Sequence, residues 1–311
     1  MPIPLTDIKT VAGEHNCKIH SILFKNFDAA LAVAKIDIDT EKFGNSSRDD
    51  ERQQWSGTKT FDEAFNLAYT GWKDGLDIIH KNFTKYRHIF EDLLPQQDVT
   101  KQMEHDTSGE VVDVGRVLEG IPENMLTFKE NTEQVKVISG NKLQRIIFNA
   151  TYSCAIEPAV IALNGSLLTL LVEQFELHGF RTELIYREAI EGERGEKLIT
   201  DIPIKQFDES PDFNKIAFML AHPSMLRRIT FSLQENLPTT LRKTFRIYDG
   251  GGYGQCIDYN NDLLLDKNNL YVPSLKANYE TEQCVQLYRN LICNHFSIVL
   301  IDDKKWMEKL K

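Results

Sequence analysis

The sequence predicts an α/β fold over residues 141–311, a mostly parallel sheet with helices on both faces, preceded by an N-terminal α+β domain over residues 1–140. Three features of the second half carry this expectation. Leu143 to Phe148 is a short apolar run, as a strand buried on both faces requires. A helix follows from about Ile156 to Leu177, with Leu163, Leu167, Leu170, Leu171 and Phe175 on one side and Gly179 as its stop. Phe180 to Ile190 and Lys197 to Phe207 then flank a charged turn that holds Gly192 and Gly195, which predicts a hairpin. Strands alternating with helices imply a sheet covered on both sides.

The first half is patterned more weakly. Ala29 to Ile38 reads as a strand or a short helix, and Gly44 to Gln54 as an exposed loop. Thr60 is placed to cap a helix, with Glu63 three residues on as in a capping box. Phe61, Ala64, Leu67 and Ala68 share one face of that helix, and Gly71 ends it. A second helix runs from about Leu76 to Leu94 and stops at Pro95. Gln96 to Glu110 is polar and reads as a loop; Val111 to Val114 and Val135 to Ile138 read as short strands.

Beyond the hairpin, Ser210-Pro211-Asp212 predicts a helix start, with Ser as N-cap and Pro at the first helical position. Pro223 interrupts that helix, and another covers Met225 to Asn236. Gly250 to Gly254 is a loop, Asp262 to Leu265 a strand ending in Asp266, Thr281 to Cys293 a helix, and Phe296 to Ile301 the last strand.

Composition narrows the function classes. The chain has 311 residues, 41% of them hydrophobic and 26% charged, so a real core is expected. Its formal net charge is -10, from 36 Lys+Arg against 46 Asp+Glu, which disfavours nucleic acid as a partner. No stretch approaches the roughly 20 apolar residues that span a bilayer, and the N-terminus lacks a basic region followed by an apolar core. Cys17, Cys154, Cys256, Cys284 and Cys293 form no CxxC pair, so reduced thiols in a cytoplasm are expected.

In an open α/β sheet, ligands gather at the carboxyl ends of the strands. Here the first strand of the second half runs into Asn149-Ala150-Thr151-Tyr152-Ser153. That loop resembles the Asp-x-Ser-x-Ser motif of von Willebrand factor A (vWA) domains, and the long helix and hairpin match that family's order of elements. By that resemblance Ser224, in His222-Pro223-Ser224, stands at the family's third ligand position, and Asp266 at its Asp after the fourth strand. The resemblance implies a Mg²⁺ site of Thr151, Ser153, Ser224 and Asp266, whose shell a partner's carboxylate would complete. Asn149 replaces the leading Asp and brings no charge, so the expectation is a degenerate site that binds protein with or without the ion.

A second resemblance spans both halves. Trp55-Ser56-Gly57-Thr58, Phe61 to Ala64, Gly71 to Gly75, Asp113-Val114-Gly115-Arg116 with Leu118 to Glu123, and Ala221 to Arg228 look like the marked stretches of a bacteriophage protein family of unknown function. It implies a phage or prophage origin and one functional unit with no assigned activity, and the expected cytoplasm is then that of the host cell.

Other groups have two readings each. Trp55 and Trp72 form an aromatic ligand platform or pack the first domain. Asp113, Arg116 and Glu119 form an acid–base cluster or an ion pair. His222 beside Ser224 is a nucleophile pair or a structural histidine before proline. Gly250 to Gly254 is a phosphate loop or a lid. Arg227 and Arg228 with Arg242, Lys243 and Arg246, among Phe231, Phe245 and Tyr248, form a nucleic-acid surface or a solvated helix face. The leading expectation is a non-catalytic module that docks a protein partner at a crevice edged by Asn149, Thr151, Ser153, Ser224 and Asp266. The alternatives are a nucleic-acid-associated phage factor and a metal-dependent hydrolase.

Overall fold

The computed structural model describes residues 8–13, 17–36, 47–48, 52–94, 102–109, 111–129, 143–247, 252–260 and 269–296. The chain divides into two compact units, residues 1–93 with 142–311, and residues 94–141.

The larger unit is built on a mixed sheet. Its strands are β1 (Ile8–Ala12) and β2 (Lys18–Leu23), then β6 (Leu143–Asn149), β7 (Arg181–Glu191), β8 (Lys197–Lys205), β9 (Gln255–Cys256) and β10 (Leu270–Val272). The order is β1-β2-β8-β7-β6-β10, with β9 paired to β7. β7 and β8 form the expected antiparallel hairpin, while β7–β6, β6–β10 and β2–β8 are parallel pairs. Four of the strands, β1, β6, β7 and β10, therefore run the same way. The residues of β7 from Thr182 to Ile190 are buried except Glu183, so both of its faces are covered.

The expected boundary at 140/141 differs from this division. β2 pairs with β8 from Ile19↔Lys197 to Leu23↔Asp201, so the N-terminal strands extend the second half's own sheet. The separate unit is the short insertion. It holds β3 (Gln102–Asp106), β4 (Val111–Val112) and β5 (Met125–Lys129) in the order β3-β5-β4, with helix α5 (Val114–Leu118) between. Asp113 caps α5 and bonds His105 Nε2 at 2.9 Å. That contact first, and then the backbone amide of Arg116, hold the Asp113 carboxyl below its ordinary range.

The helices of the larger unit are α1 (Phe27–Ala34), α2 (Gln53–Ser56), α3 (Phe61–Thr70), α4 (Lys73–Leu93), α6 (Pro158–Leu177), α7 (Phe213–Ala221), α8 (Phe231–Glu235), α9 (Thr239–Thr244) and α10 (Thr281–His295). Asn26 fixes the start of α1 by accepting from Ala29 N at 3.0 Å, so Ala29 to Ala34 of the segment expected to be strand or helix is helix, and residues 37–38 lie outside the described residues. Thr60 accepts from Glu63 N at 3.1 Å, as its spacing predicts. The cap of α7 is Asp212, which bonds the Asn214 and Lys215 amides, and not Ser210.

Contrary to expectation, one helix among the described residues is long and apolar enough to cross a membrane. It is α6, and most of it is buried inside the fold. Gly165 lets α6 approach α7, because a Cβ there would lie 2.0 Å from the Leu220 carbonyl oxygen. From α4, His80 and Arg87 each reach the buried Glu173 of α6 at 2.7 Å.

The expected single helix over 225–236 is two pieces, a π-helical turn (Met225–Thr230) followed by α8. Thr230 Oγ1 donates to the Met225 carbonyl at 2.9 Å, which matches the wider turn. β10 is the strand beside β6 on its far side. The strand expected at 262–265, its Asp266, and Val135 to Ile138 lie outside the described residues. Phe296 caps α10, and 297–301 also lie outside them.

Candidate binding cleft

A cleft of about 770 Å³ opens where the chain leaves β6. One wall is the loop Thr151 to Cys154, with Glu188 of β7 beside it. Another is the π-turn and the helix after it, through Leu226, Arg227 and Phe231. Arg52 and Trp55, at α2, and the segment Gly252 to Cys256 complete it. This volume suits a small molecule or a few side chains. Its place, after a parallel strand next to the hairpin, is where the sheet topology directs a ligand. π-turns, too, occur often at functional sites.

Aromatic rings and guanidinium groups dominate the lining. Tyr253 stacks on Phe231 with centroids 3.8 Å apart, and Phe231 lies 6.2 Å from Trp55. The guanidinium groups of Arg52 and Arg227 stand over the Trp55 ring at 4.6 and 4.5 Å. Arg227 is 1% exposed. It donates to two neutral carbonyls, Trp55 O at 2.6 Å and Ile156 O at 2.5 Å. Burial pushes its pKa down to about 10, so it stays charged at neutral pH.

Glu188 is 2% exposed, and its Oε1 has no hydrogen-bond partner among the described residues. Gln234 lies beside it and lowers its proton affinity slightly, but neither amide atom of Gln234 reaches hydrogen-bonding geometry. Burial dominates and pushes the carboxyl up to about 8, so Glu188 holds its proton at neutral pH.

The predicted site residues fare unequally. Thr151 and Ser153 line the cleft, but the Thr151 hydroxyl is already used. It donates to Asn149 Oδ1 at 2.7 Å and accepts from Ala189 N at 2.7 Å. Asn149 is fully buried and its amide nitrogen faces three acceptors: Ile257 O at 2.9 Å, Tyr271 Oη at 3.0 Å and Asp258 Oδ1 at 3.2 Å. Oxygens that would attract a cation are taken up by amide hydrogens. Ser153 Oγ accepts from Ala155 N at 3.4 Å and is exposed.

Ser224 is absent from the cleft. Its hydroxyl bonds Ser56 O at 2.6 Å and Thr58 Oγ1 at 3.0 Å, within the turn that follows α2. The implied Mg²⁺ set does not come together among the described residues: the Thr151 hydroxyl already donates to Asn149 and accepts from Ala189, Ser224 is absent from the cleft, and Asp266 lies outside the described residues. Among the described residues there is no group of three or more His, Cys, Asp or Glu side chains that could hold a metal.

His222 and Ser224 do not form a nucleophile pair. His222 Nδ1 accepts from the Ser224 backbone amide at 3.2 Å, while its ring stacks on Phe218 and meets Trp72 edge-on. Burial lowers its pKa to about 4. Gly57, at φ +88°, leaves the room this ring needs, because a Cβ there would lie 3.0 Å from His222 Cε1. Arg228 is fully buried and ties down the same turn, donating to Ser47 O, Thr58 O and Lys59 O. Arg227 and Arg228 therefore do not join Arg242, Lys243 and Arg246 on one exposed face. Tyr248, Gly250 and Gly251 lie outside the described residues.

Sequence reasoning missed Glu188, placed Tyr253 only as part of the Gly250 to Gly254 loop, and left Trp55 between a ligand platform and the core. One signal was present: Arg187-Glu188 is a charged pair inside a strand buried on both faces, so each side chain must meet a covered surface.

These features define an α/β protein with an aromatic, cationic cleft at the end of the parallel strand β6. A model for a family described as "Domain of unknown function (DUF7192)" matches residues 10–295, and the chain belongs to that family. No curated protein and no solved structure matches it.

Proposed function

We propose that the chain is a non-catalytic, phage-encoded interaction module that receives a protein partner in the cleft beside Trp55 and Arg227, without a metal ion. The observation that carries this reading is where the hydroxyls and the rings go. The Thr151 and Ser224 hydroxyls, expected to hold an ion, are consumed by the fold's own hydrogen bonds. The adjoining rings of Trp55, Phe231 and Tyr253 line an open cleft. Trp, Tyr and Arg are the side chains that most often carry protein-binding energy. The order β8-β7-β6-β10, with β8 as the antiparallel neighbour of β7, supports a vWA-like descent for the sheet. The phage-like stretches support the phage origin and, with it, the host cytoplasm as the place of action.

Site-specific photo-crosslinking tests the reading. A benzophenone side chain at Gln255, an exposed residue of the cleft, should capture one protein in phage-infected cells. Trp55→Ala should abolish that product. The same product from a benzophenone at exposed Leu177, remote in sequence, would sink the proposal.

A further inference from the structure

We propose that the cleft recognises an acidic side chain of the partner, held between the Arg227 guanidinium and the Glu188 carboxyl. This deepens the protein-binding reading and rests on it. Arg227 is almost wholly buried, and its two hydrogen bonds go to neutral carbonyls. It forms no ion pair with any described residue. A buried cation without a counter-ion is costly, so the site favours an anion that supplies one.

Glu188 lines the same cleft and does not pair with Arg227. Its Oε1 is buried and unpartnered. With its proton retained, Glu188 is a hydrogen-bond donor. A carboxylate can therefore accept from the guanidinium on one side and from the Glu188 hydroxyl on the other. The charged side chains lining the cleft are then Arg52 and Arg227, both cationic, in a chain whose net charge is -10. That overall charge repels a polyanion at long range and favours one carboxylate on a peptide over nucleic acid. The stacked rings of Phe231 and Tyr253 offer apolar contact to the residues flanking that acid.

Burial sets the Glu188 proton, opposed by Gln234, and the titratable groups whose own protons Glu188 influences are Tyr186 and Cys256. The two titratable ones are themselves pushed upward by burial, so Glu188 is the neighbour that ionises first as pH rises. Ionised Glu188 would lose its donor and repel the bound carboxylate.

The full-length protein, labelled with ¹⁵N at arginine side chains, is titrated with sodium acetate and, separately, with inorganic phosphate. Acetate should give a saturable shift of the Arg227 Nε–H signal. The same titration should move the fluorescence of the wild type and leave that of Arg227→Met unmoved. Acetate affinity should fall about tenfold between about pH 7 and about pH 9, and Glu188→Gln should bind with a flat profile. Absence of a saturable shift overturns the proposal, as does an unchanged pH profile in Glu188→Gln. Phosphate binding more tightly than acetate overturns it in favour of a phosphate-bearing ligand. Acetate binding without a cross-link from position 255 would overturn the protein partner and leave the anion site standing. A cross-link without acetate binding would do the reverse.

Discussion

Arg187 and Arg227 are both almost completely buried, and the fold treats them differently. Arg187 stands on β7 directly across from Asp201 on β8. Its Nε and Nη2 meet the two carboxylate oxygens at 2.7 Å each, and Nη1 reaches Tyr259 O at 3.2 Å. Arg227 stands on the π-turn, where two carbonyls and the Trp55 ring receive it and no carboxylate among the described residues does. In the sheet the counter-ion comes from the next strand, so the charge is closed off. At the cleft no described residue supplies the counter-ion, and the neighbouring Glu188 is kept neutral by burial. A charge completed inside the fold holds structure, whereas a charge left incomplete beside an opening marks a place for a ligand.

The largest effect that would break this contrast concerns the completed pair. Asp201→Ala leaves Arg187 buried without its partner and should destabilise the protein by about 3–5 kcal/mol in urea unfolding. A loss under about 1 kcal/mol would mean that the pair is not what closes the sheet.

Glu188 gives the next largest effect, and it depends on pH. Its folded pKa is raised from 4.5 to about 8, so folding favours the protonated form. Its contribution is full below pH 4.5 and is lost as pH rises toward 8. Glu188→Gln, which cannot ionise, should thus gain on the wild type across that window, by on the order of 3 kcal/mol at its upper end. His222 slopes the other way. Its pKa falls from 6.5 to about 4, so its contribution is present above 6.5 and lost as pH falls through 4. Because both proteins carry His222, the difference between their stability curves isolates Glu188. Thr151→Val ranks third. It leaves the Ala189 amide and Asn149 Oδ1 each without one partner, and should cost about 2 kcal/mol by thermal unfolding.

The parts of the molecule legible in the sequence are those governed by local rules. The hairpin, α6 and the Thr60 cap follow from side-chain period, turn residues and capping distance. The position of the loop from Asn149 to Ser153 followed from the rule that ligands gather beyond strand ends. What was not legible depends on contacts across long stretches of chain. Ser224 is spent on Ser56 and Thr58, 168 and 166 residues away, and no local pattern records that. β1 and β2 join the sheet by backbone hydrogen bonds along β8, which leave little trace in side-chain type. Arg227 read as surface because arginine is rarely buried, and only the cleft shows why this one is.

Arg227→Met should have the smallest effect on stability, within about 1 kcal/mol of wild type. The substitution removes two hydrogen bonds to carbonyls, which is unfavourable, and it also removes the desolvation of a cation with no counter-ion. The methionine keeps an apolar stem against Trp55, so the ring is not left bare. These terms oppose one another, whereas at Asp201 they add, because there the stranded charge remains. Urea unfolding of the two variants side by side measures the contrast directly. Near-equal losses of several kcal/mol would make Arg227 a structural tie like Arg187. A stable Arg227→Met protein that no longer cross-links through position 255 would place the cost of this residue in recognition rather than in folding.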